Sequence, residues 1–372
     1  MQYYLVGGAV RDLLLGRPPR ECDYAFSGDA LRFVQANPKA RKVGRSVQVF
    51  LLGGQEFMPL RGAGVAEDLL WRDLTVNALA LEASGRLHLH PLALADLRDC
   101  VLRAASDHAM EDDPARVFRL ARFAAMLPDW TLDPDTLFLA QKAAATERAA
   151  RLPAERVCRE LFKALHTPKP GRFLEVLQIC AALSPWFAEL EGADAIPAGP
   201  LAYHRHSVLG HTVEVMNRLA GDPLAVWMAL CHDLGKTGTE ADILPHHYGH
   251  EQRGVAAAEA LSRRLGMPRR WREIGMLAAR LHMQGGKYAG LRPGTRCDLL
   301  CSVHAARAHD AFWRLAEADS GQKLQPRADE DLRRILAVRL PKDWRGKGVE
   351  AGVRLRALRC QALTRQSGSV SK

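Results

Sequence analysis

The sequence predicts an α+β protein with a small N-terminal sheet and a long helical remainder. Over about the first hundred residues, short apolar runs alternate with helical stretches and glycine-containing turns. From about Leu102 onward, apolar residues recur almost entirely with helical spacing. A chain of 372 residues is also long enough for two or three compact units, each with its own hydrophobic core.

The elements of the N-terminal region follow from apolar alternation and from glycine. Gly7-Gly8 separates a first strand from a helix, and Gly16 ends that helix because glycine tolerates the backbone conformation found there. Gly53-Gly54 has the composition of a turn between two strands. The predicted elements are a strand over 2–6, a helix over 9–15, and strands over 23–26, 46–52 and 56–60.

Helix starts and one linker candidate organise the helical remainder. Asp113-Pro114 places a capping side chain before a proline, which predicts an amphipathic helix that continues to Ala125. Asp133 and Pro153 mark further helix starts. The later segments are a proline- and glycine-containing linker over 196–200, a histidine-rich helical stretch over 203–321, a basic tail after Pro341 and a disordered end over 366–372.

The composition is that of an ordinary globular protein with a basic surface. Hydrophobic residues make up 48% and charged residues 25% of the chain, and the formal net charge is +10. This charge favours a polyanionic partner without identifying one. We see no secretory signal and no apolar run that approaches the ~20 residues of a membrane span, so we expect a cytoplasmic protein that does not contact membranes. The eight cysteines are scattered apart from Cys297 and Cys301, and we interpret them as small buried hydrophobic residues.

The N-terminal region contains a candidate nucleotide site. Gly8 allows the backbone to approach a phosphate chain at a helix N-terminus, and Arg11 adds positive charge one turn later. Glu21 and Asp23 are two residues apart at a predicted strand start, so we expect their carboxylates on one face, and Glu56 supplies a third candidate. Such oxygen ligands suit Mg²⁺, which stabilises the attacking hydroxyl and the departing pyrophosphate in nucleotidyl transfer.

Two further polar groups are candidates for contacts with a nucleotide. Arg72 can meet a phosphate. Asp73 and Asn77 are four residues apart and expected on one helical face, where they can bond a ribose or hold the backbone of the site. Asp113 and Arg116 can present an acceptor and a fork of donors to a base edge, although Asp113 is equally well explained as a helix cap.

A second candidate site lies in the histidine-rich stretch. An apolar helical run ends in His232-Asp233, and buried histidine and aspartate side chains are costly unless something pairs with them. With His211 on the preceding helix and Asp319 on a later one, they form a sensible ligand set for a divalent transition metal. Candidate second-site ligands or phosphate contacts are His246, His247, His250 and His282, and Lys236 is a further candidate phosphate contact.

The ordered motifs of the N-terminal region resemble those of bacterial class II CCA-adding enzymes, which are tRNA nucleotidyltransferases. The shared motifs are Leu5-Val6-Gly7-Gly8-Ala9-Val10-Arg11-Asp12, the acid-x-Asp of Glu21 and Asp23, Arg72-Asp73-x-x-x-Asn77-Ala78 and Asp113-Pro114-Ala115-Arg116. The resemblance implies a polymerase-β-like nucleotidyltransferase head with a small mixed sheet, which holds Mg²⁺ at Glu21 and Asp23. It also implies all-α neck and body segments that grip tRNA.

The same resemblance assigns further residues to substrate binding. It implies that Asp113 and Arg116 select the base of the incoming CTP or ATP by Watson–Crick-like hydrogen bonds. Arg156 and Arg159 are predicted to bind nucleotide as well. Basic residues of the helical body are candidates for contacts with the tRNA backbone, namely Arg119, Arg122 and Arg156.

The histidine and aspartate order is similar to that of the HD phosphohydrolase superfamily. In gammaproteobacterial-type CCA-adding enzymes such a domain is linked to 2′,3′-cyclic phosphodiesterase, 2′-nucleotidase and phosphatase activity, often with Ni²⁺. The resemblance therefore implies a two-activity enzyme, acting as a monomer or homodimer. Its predicted segments are the head over 1–101, the neck and body over 102–199, the all-α HD domain over 200–330 and a basic helical tail over 331–372.

Three departures from the family pattern keep other functions open. Glu21 stands where the family has Asp, Trp71 replaces an arginine, and only the short stretch 62–66 follows the Glu56 strand, where relatives have a longer flexible loop. A shortened loop is a feature of relatives that add only CC, so a CC-adding enzyme is the first alternative. A tRNA-binding protein with a decayed transferase and an active hydrolase is the second, and a poly(A) polymerase is less favoured because such enzymes usually lack the HD domain.

Overall fold

The computed structural model of the chain describes residues 1–19, 21–43, 48–200, 205–344 and 346–364. The chain divides into two compact units, one formed by Met1–Leu152 with Val176–Ala182 and the other by Pro153–Glu175 with Leu183–Lys372. The predicted segments 1–101, 102–199, 200–330 and 331–372 are a finer division, and this division stays a prediction. No helix in the described parts of the chain is both long and apolar enough to cross a membrane.

The first unit contains the predicted small mixed sheet. Its strands are β1 Tyr3–Val6, β2 Asp23–Phe26, β3 Arg41–Val43, β4 Val49–Leu52, β5 Gln55–Pro59, β6 Leu79–Glu82 and β7 Leu87–Leu89. Their order is β3-β4-β5-β2-β1-β6-β7. Only β2 and β5 pair in parallel among these strands, and the other neighbours are antiparallel. The α+β class is thus confirmed. Of the strand predicted over 46–52, residues 49–52 form β4, and residues 46 and 47 lie outside the described part of the chain.

Phenylalanines pack against the central part of the sheet, where β2 and β5 lie. Phe26, Phe33, Phe50 and Phe57 form one buried cluster. The rings of Phe26 and Phe33 are stacked with their centroids 4.2 Å apart. Aromatic side chains bury large apolar areas, so this cluster anchors the two strands on which the acidic residues lie.

Helices surround the sheet and complete the first unit. They are α1 Gly8–Leu14, α2 Ala30–Ala36, α3 Val65–Leu70, α4 Ala93–Arg98, α5 Ala109–Asp112, α6 Ala115–Met126, α7 Pro134–Ala144 and α8 Glu147–Ala150. The predicted cap at Asp133 is confirmed, because its carboxylate accepts a hydrogen bond from the Thr136 N–H at 3.0 Å. A parallel pair of two-residue strands, β8 Val101–Leu102 and β9 Thr131–Leu132, interrupts the predicted all-helical stretch. Two residues are too few to show the alternation that identifies a strand.

The second unit is built from helices and irregular segments, and α10 crosses the division because its last four residues belong to the first unit. The helices are α9 Ala154–Leu165, α10 Arg172–Ile179, α11 Val208–Arg218, α12 Pro223–His232, α13 His250–Arg264, α14 Arg269–Gly286, α15 Pro293–Ala305, α16 His309–Ser320, α17 Gln325–Ala337 and α18 Gly348–Thr364. The final eight residues of α12 are all buried, as expected for a helix that is apolar on every side. It packs against α11, α14 and α16, and its last residue is His232.

The predicted linker over 196–200 lies inside the second compact unit, and its role as a boundary of the finer division stays a prediction. The Ala198 N–H donates to the His206 carbonyl at 3.0 Å, and the Ala198 carbonyl accepts from Lys236 Nζ at 2.8 Å. Proline and glycine here mark an irregular but bonded segment that packs beside the end of α12.

The cysteines follow the expectation only in part. All eight are free. Burial is confirmed for Cys158, Cys180, Cys231 and Cys297, whereas the other four are half-buried.

Candidate active sites

Two acidic residues of the first unit lie side by side on neighbouring strands. Asp23 and Glu56 are register partners in the parallel pair β2 and β5. Residues paired in this way project to the same face of a sheet, with their strands about 4.8 Å apart. The sequence-predicted pairing of Asp23 with Glu56 is therefore supported by the strand register.

Glu21 is placed differently from the expectation. Strand β2 begins at Asp23, and Glu21 lies in an exposed bend before it, so the argument that strand alternation aligns their carboxylates is wrong. Within the described residues, three-ligand sets of His, Cys, Asp or Glu atoms lying within 4.8 Å of one another occur only in the histidine-rich region. The joint role of Glu21, Asp23 and Glu56 in holding Mg²⁺ stays a prediction.

The Gly-Gly turn connects β1 to α1 as predicted. Gly7 has a φ of +70°, a conformation that side-chain-bearing residues rarely adopt, and its carbonyl accepts from the Arg11 N–H at 3.2 Å. The Arg11 side chain is buried rather than free to meet a phosphate. Its Nη1 donates to Asn77 Oδ1 at 2.7 Å, and its Nη2 donates to Asp12 Oδ1 at 2.8 Å.

This arginine begins a buried network that joins three parts of the first unit. Asn77 Nδ2 donates to Asp73 Oδ1 at 3.1 Å, and the other carboxylate oxygen of Asp73 accepts from Arg119 Nε at 2.8 Å. Burial alone would raise the pKa of Asp73, but the charge of Arg119 and the hydrogen bonds from Asn77 and Arg119 hold it well below its usual range. The network therefore keeps Asp73 ionised and fixes the backbone next to the Gly-Gly turn.

The helical spacing predicted for Asp73 and Asn77 is wrong, although their contact is present. Leu74 is extended, and only Thr75–Asn77 forms a single 3₁₀ turn. The two side chains meet because the turn folds back, and this brings them as close as an i, i+4 pair of an α-helix would be.

We expect Asp73→Asn to lower the free energy of unfolding at pH 7 by about 1–3 kcal/mol. A broken buried ion pair costs ~3–5 kcal/mol, and partial solvent exposure of Arg119 reduces that figure. The folded-state pKa of Asp73 lies below its unfolded value of about 3.9, so its contribution is complete above pH ~4 and is lost as the pH falls further. Urea unfolding of both proteins between pH 3 and pH 8 measures the difference.

The matched control is Asp99→Asn. Asp99 also pairs with an arginine, Arg98, but that pair is exposed, so its loss is expected to leave stability unchanged. Two results would contradict the assignment of Asp73 as the ionised centre of the network. One is an equal free energy of unfolding of the wild-type protein and Asp73→Asn at pH 7, and the other is a difference in that free energy that grows below pH 4.

The guanidinium groups of Arg72 and Arg116 make intramolecular bonds. Arg72 Nη2 pairs with Asp68 Oδ2 at 2.5 Å. Arg116 Nη2 donates to the Trp71 carbonyl at 2.5 Å, and its Nη1 donates to the Ala109 carbonyl at 2.8 Å. These bonds use only part of the donor capacity of the Arg116 guanidinium, and its role in reading a base edge stays a prediction.

The other predicted binding residues divide between the two units. Asp113 precedes α6, and its carboxylate accepts from the Ala115 N–H at 3.3 Å, which shifts the predicted helix start by one residue. Arg122 is buried over the Phe123 ring, 4.0 Å from its centroid, and is poorly placed to contact an RNA backbone. Arg156 and Arg159 lie on α9 in the second unit, and their role in nucleotide binding stays a prediction.

The second unit gathers all four predicted metal ligands. His211 Nε2 lies 3.0 Å from Asp319 Oδ1 and 3.4 Å from His232 Nε2. Asp233 Oδ2 lies 3.2 Å from His232 Nε2 and 3.7 Å from His211 Nε2. The predicted grouping of His211, His232, Asp233 and Asp319 is confirmed as a spatial cluster.

Two more histidines face the other oxygen of the same carboxylate. Asp233 Oδ1 lies 3.3 Å from His282 Nε2 and 3.7 Å from His250 Nε2, and the two histidine nitrogens are 3.2 Å apart. We call the six residues the histidine–aspartate centre: His211, His232, Asp233, His250, His282 and Asp319. Of the four histidines named as second-site candidates, His250 and His282 belong to it, whereas His246 and His247 lie on the loop before α13.

Backbone carbonyls hold the imidazoles of the centre in one orientation. The Nδ1 atoms of His232 and His250 lie 2.6 Å from the carbonyls of Ala229 and His247, respectively. His282 Nδ1 lies 3.1 Å from the Ala278 carbonyl. Such bonds place a proton on Nδ1 and direct the Nε2 atoms into the cluster, which is the usual orientation of metal-binding histidines.

The carboxylate of Asp233 is buried and surrounded by groups that favour its ionised form. It is 1% exposed, and its Oδ1 has no hydrogen-bond partner among the described residues. Burial alone would raise the pKa of Asp233, but the charges of His232 and Lys236 hold it well below its usual range. Lys236 offsets the charge of Asp233 from the Oδ2 side, and the Oδ1 atom faces two imidazole nitrogens, a set of oxygen and nitrogen donors that fits a divalent cation.

Sequence reasoning missed the supports of both sites. Asp12, Asp68 and Arg119 hold Arg11, Arg72 and Asp73, respectively, yet no local pattern distinguishes them from solvated charges. Lys236 was proposed as a phosphate contact, and its Nζ instead lies 2.7 Å from Asp233 Oδ2. Its position three residues after Asp233 was the available signal for this pair.

The mixed sheet, the acidic strand pair and the helical remainder define a polymerase-β-like nucleotidyltransferase head followed by a mostly helical body. Residues 3–58 match the family model for the poly A polymerase head domain. The chain is 37% identical over 342 residues to a multifunctional CCA protein of Dechloromonas aromatica, and the aligned region covers 86% of this chain and 82% of that protein. It is 38% identical over 337 residues to a multifunctional CCA protein of Nitrosococcus oceani, covering 84% and 82%. The chain therefore belongs to the multifunctional CCA protein family.

Solved structures share the fold. A Thermotoga maritima CCA-adding enzyme complexed with tRNA superimposes with a TM-score of 0.64 at 19% identity, over 97% of this chain and 87% of that one. A complex of a CCA-adding enzyme with ATP gives a TM-score of 0.64 at 18% identity, over 97% and 86%. At these identities the similarity establishes the architecture of the chain.

Proposed function

We propose that the chain adds CMP, CMP and AMP to the 3′ end of tRNA from CTP and ATP, and that its histidine–aspartate centre hydrolyses phosphoesters. Membership in the multifunctional CCA protein family supports the transferase activity. The observation that carries it within the structure is the register of Asp23 with Glu56 on adjacent strands next to the Gly-Gly turn.

In the transferase site, protein groups provide position and charge. Asp23 and Glu56 suit Mg²⁺, which proteins often bind through one or two carboxylates together with substrate phosphates, and Glu21 is an additional candidate ligand. Bound Mg²⁺ would stabilise the charge that develops on the phosphates. The network from Arg11 to Arg119 keeps the turn rigid, so the reacting groups are held without reorganisation.

In the hydrolase site, Asp233 is the central residue. It faces His211 and His232 through Oδ2 and His250 and His282 through Oδ1, so the centre can hold two divalent cations. Nitrogen and oxygen ligands favour a transition metal, and Ni²⁺ is the proposed ion. Such a cation would activate water and polarise the phosphorus–oxygen bond of a 2′,3′-cyclic phosphodiester, a 2′-nucleotide or a similar phosphoester.

We expect the purified protein to incorporate both C and A into tRNA that lacks its 3′ end. The assay supplies Mg²⁺ and labelled CTP, ATP or both, and product length on a sequencing gel reports the added nucleotides. Incorporation of C alone would replace the proposal by a CC-adding enzyme, and no incorporation would replace it by a tRNA-binding protein with a decayed transferase.

The short loop after β5 is the reason to distinguish CCA addition from the addition of C alone. Only residues 60–64 connect β5 to α3, and the Ala63 N–H donates to Glu67 Oε2 at 2.8 Å. Gly62 has a φ of +71° and packs so closely on the Glu67 carboxylate that a Cβ atom would lie 2.2 Å from its carbon.

If incorporation is weak, the variant Glu21→Asp tests whether the longer side chain of Glu21 is the cause. Restored incorporation would assign the weak activity to Glu21.

A further inference from the structure

We propose that His246 and Tyr248 form a stacking platform for the nucleobase of the substrate cleaved at the histidine–aspartate centre. This proposal rests on the proposed phosphohydrolase function and adds a base-binding subsite to it. The ligand class is a nucleoside phosphate, bound through the aromatic face of its base.

The two rings already form an open aromatic surface. Their centroids are 5.7 Å apart and their planes differ by 15°, which is an offset stack. Both residues are exposed, and Tyr248 is 71% exposed. Every nucleobase has an aromatic face, so an exposed stack of this kind binds bases without selecting one by hydrogen bonds.

One arginine ties this platform to the turn that carries Asp233. Arg253 Nη1 donates to the Tyr248 carbonyl at 2.8 Å, and Arg253 Nε donates to the Gly235 carbonyl at 3.2 Å. Gly235 follows Asp233 by two residues. The backbone of Tyr248 is thereby held at the rim of the histidine–aspartate centre.

His247, which lies between the two platform residues, is fixed from the opposite side. Its Nδ1 lies 2.8 Å from Thr239 Oγ1, and its Nε2 lies 2.8 Å from the Pro197 carbonyl. The next carbonyl, that of Ala198, accepts from Lys236 Nζ, which also contacts Asp233. The loop is therefore preorganised, and a ligand would not have to order it.

The backbone of Tyr248 is close to a residue of the histidine–aspartate centre. Tyr248 precedes His250 by two residues, so their Cα atoms are at most ~7.6 Å apart. A base and its 2′ or 3′ phosphate are separated by a single ribose. A nucleotide whose base stacks on Tyr248 can therefore present that phosphate to the centre.

The test compares 2′,3′-cyclic AMP with a base-free analogue, methyl riboside 2,3-cyclic phosphate. We expect Tyr248→Ala to reduce about tenfold the ratio of kcat/KM between the nucleotide and the base-free substrate, mainly through KM for the nucleotide. Tyr248→Phe keeps the ring and should retain most of the preference. Phe138→Ala removes another exposed ring, 60% exposed and in the first unit, and should leave the ratio at its wild-type value.

An unchanged ratio in Tyr248→Ala would overturn the platform. If the wild-type protein hydrolyses neither substrate, the phosphohydrolase proposal fails, and a binding measurement then tests the platform independently. Titration of the Ni²⁺-loaded protein with 2′-AMP should then show about tenfold weaker binding by Tyr248→Ala if bases stack there. Equal affinity of the two proteins would reject it.

Discussion

Replacing His232 or Asp233 with alanine is expected to abolish metal-dependent 2′,3′-cyclic phosphodiesterase activity and to leave nucleotide addition to tRNA intact. Both residues are buried at the end of α12, and both face the other ligands of the histidine–aspartate centre. Loss of groups that merely support metal ligands typically costs ~10–100-fold, so removal of a ligand should cost at least about 100-fold. Hydrolysis of 2′,3′-cyclic AMP with added Ni²⁺ measures the effect.

Because Asp233 also pairs with Lys236, its alanine variant could lose stability as well as metal. Asp233→Asn preserves the shape of the side chain, and thermal unfolding with and without Ni²⁺ separates the two effects. Wild-type protein should be stabilised by the ion, whereas the variants should not respond. His304→Ala, at an exposed histidine of α15 outside the centre, should behave as wild type in every assay.

The division of the chain is the reason to expect that the two proposed activities are independent. All six residues of the histidine–aspartate centre belong to the second compact unit, and Asp23 and Glu56 belong to the first. A loss of nucleotide addition in His232→Ala equal to its loss of hydrolysis would argue that one site serves both reactions.

The elements that could be predicted are those with a local physical signal. Strand β2 was predicted with the bounds it has, and the turn after β1 was predicted to within one residue, since α1 begins at Gly8; alternation and glycine each leave a clear pattern. The strands β8 and β9 were missed because pairing between residues 30 positions apart, not local pattern, creates them. The bonds of the segment over 196–200 to His206 and Lys236 could not be predicted, because proline and glycine composition carries no information on bonding partners.

The same contrast holds for the sites. The order of His211, His232-Asp233 and Asp319 predicted a cluster, because few structural roles explain a histidine and an aspartate at the end of a buried helix. The role of Asp233 as a carboxylate shared between two histidine pairs was not predictable, since it depends on where α13 and α14 place His250 and His282. The pairing of Arg119 with Asp73 is likewise set by packing of α6, not by spacing.

We expect Asp23→Asn to reduce CMP incorporation into tRNA by at least about 100-fold, because a bound cation supplies several kcal/mol of transition-state stabilisation. The amide keeps the size of the carboxylate but loses its charge, so the sheet should remain folded. Glu56 is the register partner of Asp23, and Glu56→Gln should also reduce CMP incorporation. Initial rates with labelled CTP across a range of Mg²⁺ concentrations measure both variants.

Asp29→Asn is the matched control for this substitution. Asp29 is an exposed aspartate of the first unit that caps α2, and asparagine caps a helix equally well, so neither stability nor incorporation should change. Hydrolysis of 2′,3′-cyclic AMP by Asp23→Asn should also remain at the wild-type rate, because the histidine–aspartate centre lies in the other unit. If Asp23→Asn incorporates CMP normally at every Mg²⁺ concentration, then the carboxylate pair of β2 and β5 does not hold the catalytic cation. The transferase site would have to be sought elsewhere in the chain.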